Sequence, residues 1–404
     1  MPALAVEWLE LAARWLHVVA GVVWIGTSFY FTGLDLGLRE PEESDPDLEG
    51  ELWEVHGGGF YRVSKYDVAP PRMPQELQWF KWEAYTTWLS GAALLVLVYY
   101  LGADAYLLGR DATIGATAGI AIAAGAVVGG WLAYEAVCRT PIVERPGTLA
   151  AIGLVAATAA AFLLSQVLSG RAAYIHVGAA IGTMMAANVF FVIIPAHRDL
   201  VDAVEEGREP DAARARDASR RSRHNNYLTL PVLFLMISNH YPVAYEHPQG
   251  WLILGALAAL GGWIRHYFNL RHRGRDRPWI LATAAIGFVA VALFAARGTG
   301  RGGPSGDLAG AGAGGDEAVA FEEVRAVIAS RCATCHSADP VDELFDAPPA
   351  GIAFDTPEQI RSRAGKIYEV TVASRVMPLG NLTDMTEEER ALVGRWARRV
   401  EAGR

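Results

Sequence analysis

WILATAAIGFVAVALFAA, residues 279–296, runs for eighteen positions without a charged side chain. A run of this length reads as a membrane-crossing helix. A bilayer's hydrocarbon core is about 30 Å thick and takes roughly 20 residues at 1.5 Å each. What flanks this run differs in kind on its two sides. Toward the N-terminus, seven more apolar segments predict spans at about 8–34, 82–108, 113–137, 148–168, 173–195, 225–243 and 250–270; the eighth is 279–297. Toward the C-terminus, GTGRGGPSGDLAGAGAGG (298–315) reads as a flexible Gly-rich linker, with an end-to-end distance of about 20–25 Å. Residues 316–404, rich in Asp, Glu and Arg, read as a small α-helical domain. Its helices are expected at about 319–331 and 386–401, the second started by a Thr386/Glu389 capping box. The fold class expected is all-α: an eight-helix transmembrane bundle (1–297), the linker, and a soluble tail (316–404).

Charge distribution orients the bundle. Lys and Arg concentrate in the loops after segments one, three, five and seven, most densely at Arg198–Arg223 and Arg271–Arg277. The other short loops carry only Arg110 and Arg171. By the positive-inside rule the odd-numbered loops are cytoplasmic, so both termini lie outside. Residues 1–7 lack a basic stretch and no small-residue cleavage site follows, so the first span is expected to serve as its own uncleaved signal. The net charge of −9 argues against nucleic acid as a partner. Three Cys offer no disulfide framework. LHVVAGVVWIGTSFYF (16–31) and IHVGAAIGTMMAANVFF (175–191) each open near a His and end in aromatics, which hints at two four-helix halves.

Cys332-Ala333-Thr334-Cys335-His336 is the attachment pattern of a covalent haem c. The two thiols take the haem vinyl groups and His336 supplies the proximal iron ligand. The competing reading is a redox or zinc CxxC pair with a chance His. Against it stand the helix FEEVRAVIAS (321–330) leading into the motif, and MPLGNLTDMTEEERALVGRWA (377–397) following it. Met377 is the expected sixth ligand, with Met385 its rival. A His/Met pair raises the haem potential and suits an electron acceptor. Haem c is attached outside the cytoplasm, where the charge count independently puts the tail. Lys366, in a helix expected to face solvent, is a candidate neighbour of the haem propionates.

Ionisable residues inside spans are costly and mark functional candidates. They fall at two depths. Near the outer face are Arg14, His17, His176, Asn239 and His240. His17, His176 and His240 have three readings: ligands of a haem b, a substrate site, or hydrogen bonds between helices. Near the inner face are Glu83, Tyr85, Glu135, Arg139, His197, His224, Asn225, Asn226, Arg265 and His266. These suit either a cationic pocket for an anionic substrate or ordinary snorkelling and helix-end pairing. Glu83, Tyr85, Glu135 and His266 are the catalytic candidates among them. Cys138 sits at an inner helix end and reads as inert.

WEVHGGGFYRVSKYDVAPPRMPQELQWFKWEAYTTWLSG (53–91) and HNNYLTLPVLFLMISNHYP (224–242) resemble the signatures of the integral-membrane, cytochrome c-linked urate oxidases of bacteria. The resemblance covers nearly the whole chain. It implies eight spans, a C-terminal class I-like cytochrome c domain in the periplasm, and a place in the inner membrane. It also implies oxidation of urate to 5-hydroxyisourate without hydrogen peroxide, the electrons leaving through the cytochrome to a soluble cytochrome or a terminal oxidase. It assigns no catalytic residues. Two other classes remain open: a membrane-anchored electron shuttle, and a purine transporter with a fused cytochrome sensor.

Overall fold

The computed structural model describes residues 3–41, 47–109, 112–299, 320–341, 348–373 and 375–402. The chain is mostly helical. Its long helices are α1 (Ala3–Gly37), α2 (Trp82–Leu94), α3 (Ala116–Cys138), α4 (Pro146–Ser165), α5 (Gly170–Ala187), α6 (Ile194–Glu205), α7 (Ala212–Ile237), a short α8 (Pro242–Tyr245), α9 (Gly250–His272) and α10 (Trp279–Thr299). Among the described residues, five helical stretches are long and apolar enough to cross a membrane: Trp8–Gly37, Ala116–Cys138, Pro146–Ser165, Gly170–Glu205 and Trp279–Arg297. Helix α2 has only 13 residues before it loosens into π-helical turns at Leu95–Tyr100 and Ala103–Leu107. Helices α7 and α9 carry buried arginines, Arg221 and Arg265.

Helix α5 lies at the centre and packs on α3, α4 and α7. Its sequence explains why. GRAAYIHVGAAIGTMMAA is built of small residues, which let backbones approach closely. At Gly178 a Cβ would come within 2.9 Å of Leu235 on α7, so any larger residue pushes the two helices apart. Ser169 starts the helix by accepting the Ala172 N–H at 3.1 Å. By contrast α1, α3, α4 and α10 turn large apolar side chains outward, among them Val22, Val155, Leu163 and Ile286. Soluble surfaces rarely carry contiguous apolar area on this scale, and lipid covers it at no cost.

Four features depart from the sequence expectations. The stretch between α1 and α2 is not plain loop: β1 (Leu48–His56) and β2 (Gly59–Tyr66) form an antiparallel hairpin. Gly57 and Gly58, both at positive φ, make its two-residue turn, a conformation that side chains strain against. The buried Glu51 carboxylate accepts two bonds from Arg62, at 2.6 and 3.0 Å, and Lys65 pairs with Asp35 of α1. Second, α6 and α7 extend through much of the Arg-rich loop expected at 198–223, because Asp211 caps α7 early by accepting the Ala213 N–H at 2.8 Å. Third, helix α10 continues through residues 298–299 of the expected linker; 300–315, like Arg110, lie outside the described residues. Fourth, segment six ends sooner, since α7 gives way to a 3-10 turn at Ser238–His240.

The tail holds α11 (Phe321–Arg331), α12 (Pro357–Ser362), α13 (Ala364–Tyr368) and α14 (Glu387–Ala402). The Thr386/Glu389 capping box is present, with bonds of 2.7 and 3.2 Å. Val324, Ile328, Ile367, Met385, Val393 and Trp396 form the core between these helices. Burying each such aliphatic side chain contributes about 1.5–3 kcal/mol.

Candidate functional site

In the tail, the turn after α11 folds Cys332, Cys335 and His336 back on the helix end: His336 N–H donates to the Cys332 carbonyl at 2.8 Å. The imidazole is oriented by its own Nδ1–H, which donates to the Ile352 carbonyl at 2.9 Å and leaves Nε2 without a proton. Metal-ligating histidines are commonly held in this way. Asp355 anchors the adjacent turn by accepting the Ala338 N–H at 2.8 Å, and this bond with one from Ser337 holds its carboxyl below the usual range. The two methionines separate cleanly. Met385 is 3% exposed and belongs to the tail core, whereas Met377 sits half-buried on a loop. Arg390 holds that loop. Its buried guanidinium donates to the carbonyls of Thr371 (2.5 Å) and Met377 (2.8 Å) and to Asn381 Oδ1 (2.8 Å). The donor set, two thiols, an oriented His and a free thioether, fits a haem c. Lys366 pairs with Glu369 at 2.9 Å on an exposed turn. Sequence reading passed over Arg390; its signal is a charged residue three positions before Val393 on the face of α14 that otherwise buries apolar groups.

The outer histidines do not share one place. His176 on α5 is fully buried, stacked 5.8 Å from Tyr100 and edge-on 5.6 Å from Tyr99. The first π-helical turn of α2 presents both tyrosines; such turns recur at functional sites. Its Nδ1–H donates to the Ala172 carbonyl at 2.8 Å, and its Nε2 is buried without a partner. His17 packs lower on α2, its Nδ1–H donating to the Thr87 carbonyl at 2.9 Å. A Cβ at Gly91 would meet the His17 ring at 2.9 Å. Ser90 and Tyr99 are nine residues apart, so the two imidazoles differ in depth by roughly 13 Å. His240 is exposed on the 3-10 turn. Arg14 pairs with Glu10, and Asn239 Oδ1 is buried without a partner. Among the described residues, no three or more His, Cys, Asp or Glu side chains gather as a metal site.

The inner set divides in three. In the first group, the π-helical turn Asn188–Ile193 delivers Asn188 between α3 and α7. Asn188 Nδ2 donates to the Tyr134 hydroxyl and to Asn225 Oδ1, each at 2.9 Å, and its Oδ1 accepts from Arg221 at 3.1 Å. The Tyr134 hydroxyl is hydrogen-bonded to His224 Nδ1 at 2.8 Å. Arg221 pairs with Glu135 at 2.9 Å, and Arg139 with the same carboxylate at 3.1 Å. Cys138 is a buried thiol beside this group. The second group lies on α1, α7 and α9: Arg265 Nε donates to Asn226 Oδ1, Asn226 Nδ2 donates to Asn269 Oδ1 at 3.1 Å, and the Arg265 guanidinium lies 3.8 Å over the Phe29 ring. His266, the next residue on α9, is hydrogen-bonded through Nδ1 to the Tyr227 hydroxyl at 2.9 Å and stacks on Trp263. The third is Tyr85, edge-on to Phe190 and Trp82, with half-buried Glu83 two residues before it. His197 lies exposed on α6. Glu83 and Tyr85 share the start of α2, while Glu135 and His266 each lie elsewhere, so the four do not form one site. Sequence reading missed Asn188, Tyr134, Asn269 and Phe29, because a single neutral residue in or beside an apolar run gives no sign of the neighbours it will meet.

The tail meets the bundle at a cleft of about 260 Å³. Tyr106, Arg171, Tyr245 and Glu246 line it from the bundle, and Val376 and Leu379, on either side of Met377, line it from the tail. Arg171 stands 5.5 Å over the Tyr106 ring and 6.0 Å over Tyr99.

A family model described as urate oxidase N-terminal matches residues 3–296. No curated protein and no solved structure matches the chain.

Proposed function

Because the chain belongs to the urate oxidase N-terminal family, we propose that it oxidises urate in an eight-span bundle and passes the electrons to a haem c on its own tail. The observation that carries the second half is His336, oriented through Nδ1 with Nε2 left bare beside two thiols. Cys332 and Cys335 would hold the haem covalently, and His336 and Met377 would be its axial ligands. When bound, that group supplies a one-electron acceptor at the outer end of the molecule.

The urate monoanion and one water give 5-hydroxyisourate, one proton and two electrons. The bundle's task is to bind an anion already formed at neutral pH, take a further proton, and stabilise the charge that develops. Oxygen is not the acceptor, so no hydrogen peroxide is made. The electrons leave as single charges to a soluble cytochrome or terminal oxidase. The positive-inside count puts both termini and the tail in the periplasm, with the bundle in a bacterial inner membrane.

A second redox group, haem b, is favoured by the buried, unpartnered Nε2 of His176. A neutral imidazole with Nδ1–H on a carbonyl is the ligand-competent form. His17, roughly 13 Å away in depth, is out of reach of the same iron, and His240 is exposed, so His176 carries this reading.

Anaerobic addition of urate to the purified, oxidised protein tests the function. The expected result is reduction of haem c with formation of 5-hydroxyisourate. A shuttle is reduced only by a partner protein, and a transporter moves urate with no spectral change; either outcome overturns the reading. A pyridine haemochrome measurement on the same sample counts b against c haem.

A further inference from the structure

Arg265 is 3% exposed, yet none of the described Asp or Glu side chains forms an ion pair with it. Its protein partners are the Asn226 carbonyl oxygen and the face of Phe29, and its Nη2 is buried with no hydrogen-bond partner. The contrast with Arg221, also buried on the inner side, is direct: that guanidinium pairs with Glu135 and donates to Asn188. A buried charge without a counter-charge is strongly destabilising, so a chain retains one where an anion completes it.

The surroundings say what kind of anion. Asn226 and Asn269 stand beside the guanidinium as a hydrogen-bonded pair, and the Asn269 NH2 bonds to none of the described residues. Phe29 offers an aromatic ring in the same place. Unmet N–H donors beside a flat apolar ring match a planar heterocycle with carbonyl oxygens on its edge. Phe29 also lines a cleft of about 500 Å³ between α1, the hairpin and the end of α9. Arg39, Arg271 and His272 line that cleft, with one carboxylate, Glu54, which accepts from Tyr30 at 2.7 Å. Two arginines against one carboxylate leave the cleft net positive, which draws anions in and raises their local concentration.

We propose that Arg265, Asn226, Asn269 and Phe29 form the subsite that binds the planar anionic substrate, entered through this inner cleft. Arg265 Nη2 and the Asn269 NH2 donate to the anion's edge, and Phe29 flanks its face. With urate as occupant, the assignment rests on the oxidase reading above.

Purified full-length protein in detergent tests it, through thermal unfolding and equilibrium urate binding, with haem c absorbance as the control for folding. Asn226→Asp sets a carboxylate beside the unneutralised guanidinium. It should raise the melting temperature of the ligand-free protein by several degrees and weaken urate binding at least tenfold. Arg265→Met, which removes the buried charge but keeps its bulk, should abolish the stabilisation that urate gives the wild type. Hypoxanthine, a neutral purine, should bind wild type and Arg265→Met alike. A fall in ligand-free melting temperature on Asn226→Asp, or wild-type urate affinity in either variant, overturns the proposal. Should Asn226→Asp stabilise the protein while urate binds not even the wild type, the anion site stands and the oxidase reading falls.

Discussion

Met377 and Met385 lie eight residues apart in the sequence and have different tasks in the fold. Met385 fills the tail core, so Met385→Ala should cost about 2–5 kcal/mol of stability and leave the haem potential near its wild-type value. Met377 contributes little to that core. Met377→Ala should cost little stability but lower the haem potential and turn the iron high-spin, because a thioether ligand favours the reduced state. Potentiometry and thermal unfolding of the two variants separate the roles; a lowered potential in Met385→Ala alone would exchange them. The sequence named both residues, because a Met after a CxxCH motif is a recognisable pattern. It left them as rivals, because only packing tells a free sulfur from a buried one. The same limit applied to Arg265, which stood in a list of ten inner polar residues. What sets it apart is the lack of a carboxylate neighbour, a property of three-dimensional surroundings.

At the scale of elements, the long apolar runs were legible because lipid and bundle interior both demand sustained apolarity. The hairpin was not, although its signal was present: Gly57-Gly58 between two β-rich runs is the turn chemistry of a two-residue loop. The many charged and aromatic residues from Arg39 to Lys81 drew the reading toward a plain inner loop. The π-helical turns were illegible in principle, since their residues share the period and composition of the α-helices they interrupt. Yet they position Tyr99, Tyr100 and Asn188. Asn188 carries the join between α3, α5 and α7. Asn188→Ala removes the acceptor of Arg221 and the donor to both Tyr134 and Asn225 at once. The expected cost is about 1–3 kcal/mol, read as a lower melting temperature with haem c absorbance unchanged. Asn188→Asp, which keeps an acceptor for Arg221, should cost less. An unaltered melting temperature in the Ala variant would mean that the network only fills space.

Across the whole molecule, the proposed substrate subsite and the haem motif lie at opposite ends of the bundle. Arg265 is toward the inner end of α9, and the tail meets the outer ends of α2 and α5. A bilayer is too thick for one electron-transfer step, so redox-active groups must divide it. His176, nearer the outer end, stands between the two sites with its Nε2 buried and unpartnered, which is why a second redox group belongs in this reading. Above His176 come Tyr99 and Tyr100, then Arg171 over Tyr106, then the cleft that Val376 and Leu379 close from the Met377 loop. Electrons leaving the bundle here would enter haem c on its Met377 side. That makes the seam testable without touching a ligand. Leu379, with Val376, is the apolar surface the tail turns to this cleft, so Leu379→Asp replaces an apolar contact with a charge that must be desolvated there and should part the tail from the bundle. The rate of haem c reduction by urate in a single turnover should fall about tenfold, the equivalent of roughly 1.4 kcal/mol in barrier. The haem potential and urate affinity should not change, because neither the ligands nor the inner subsite is altered. A wild-type reduction rate in this variant would show that the tail takes its electrons at another surface.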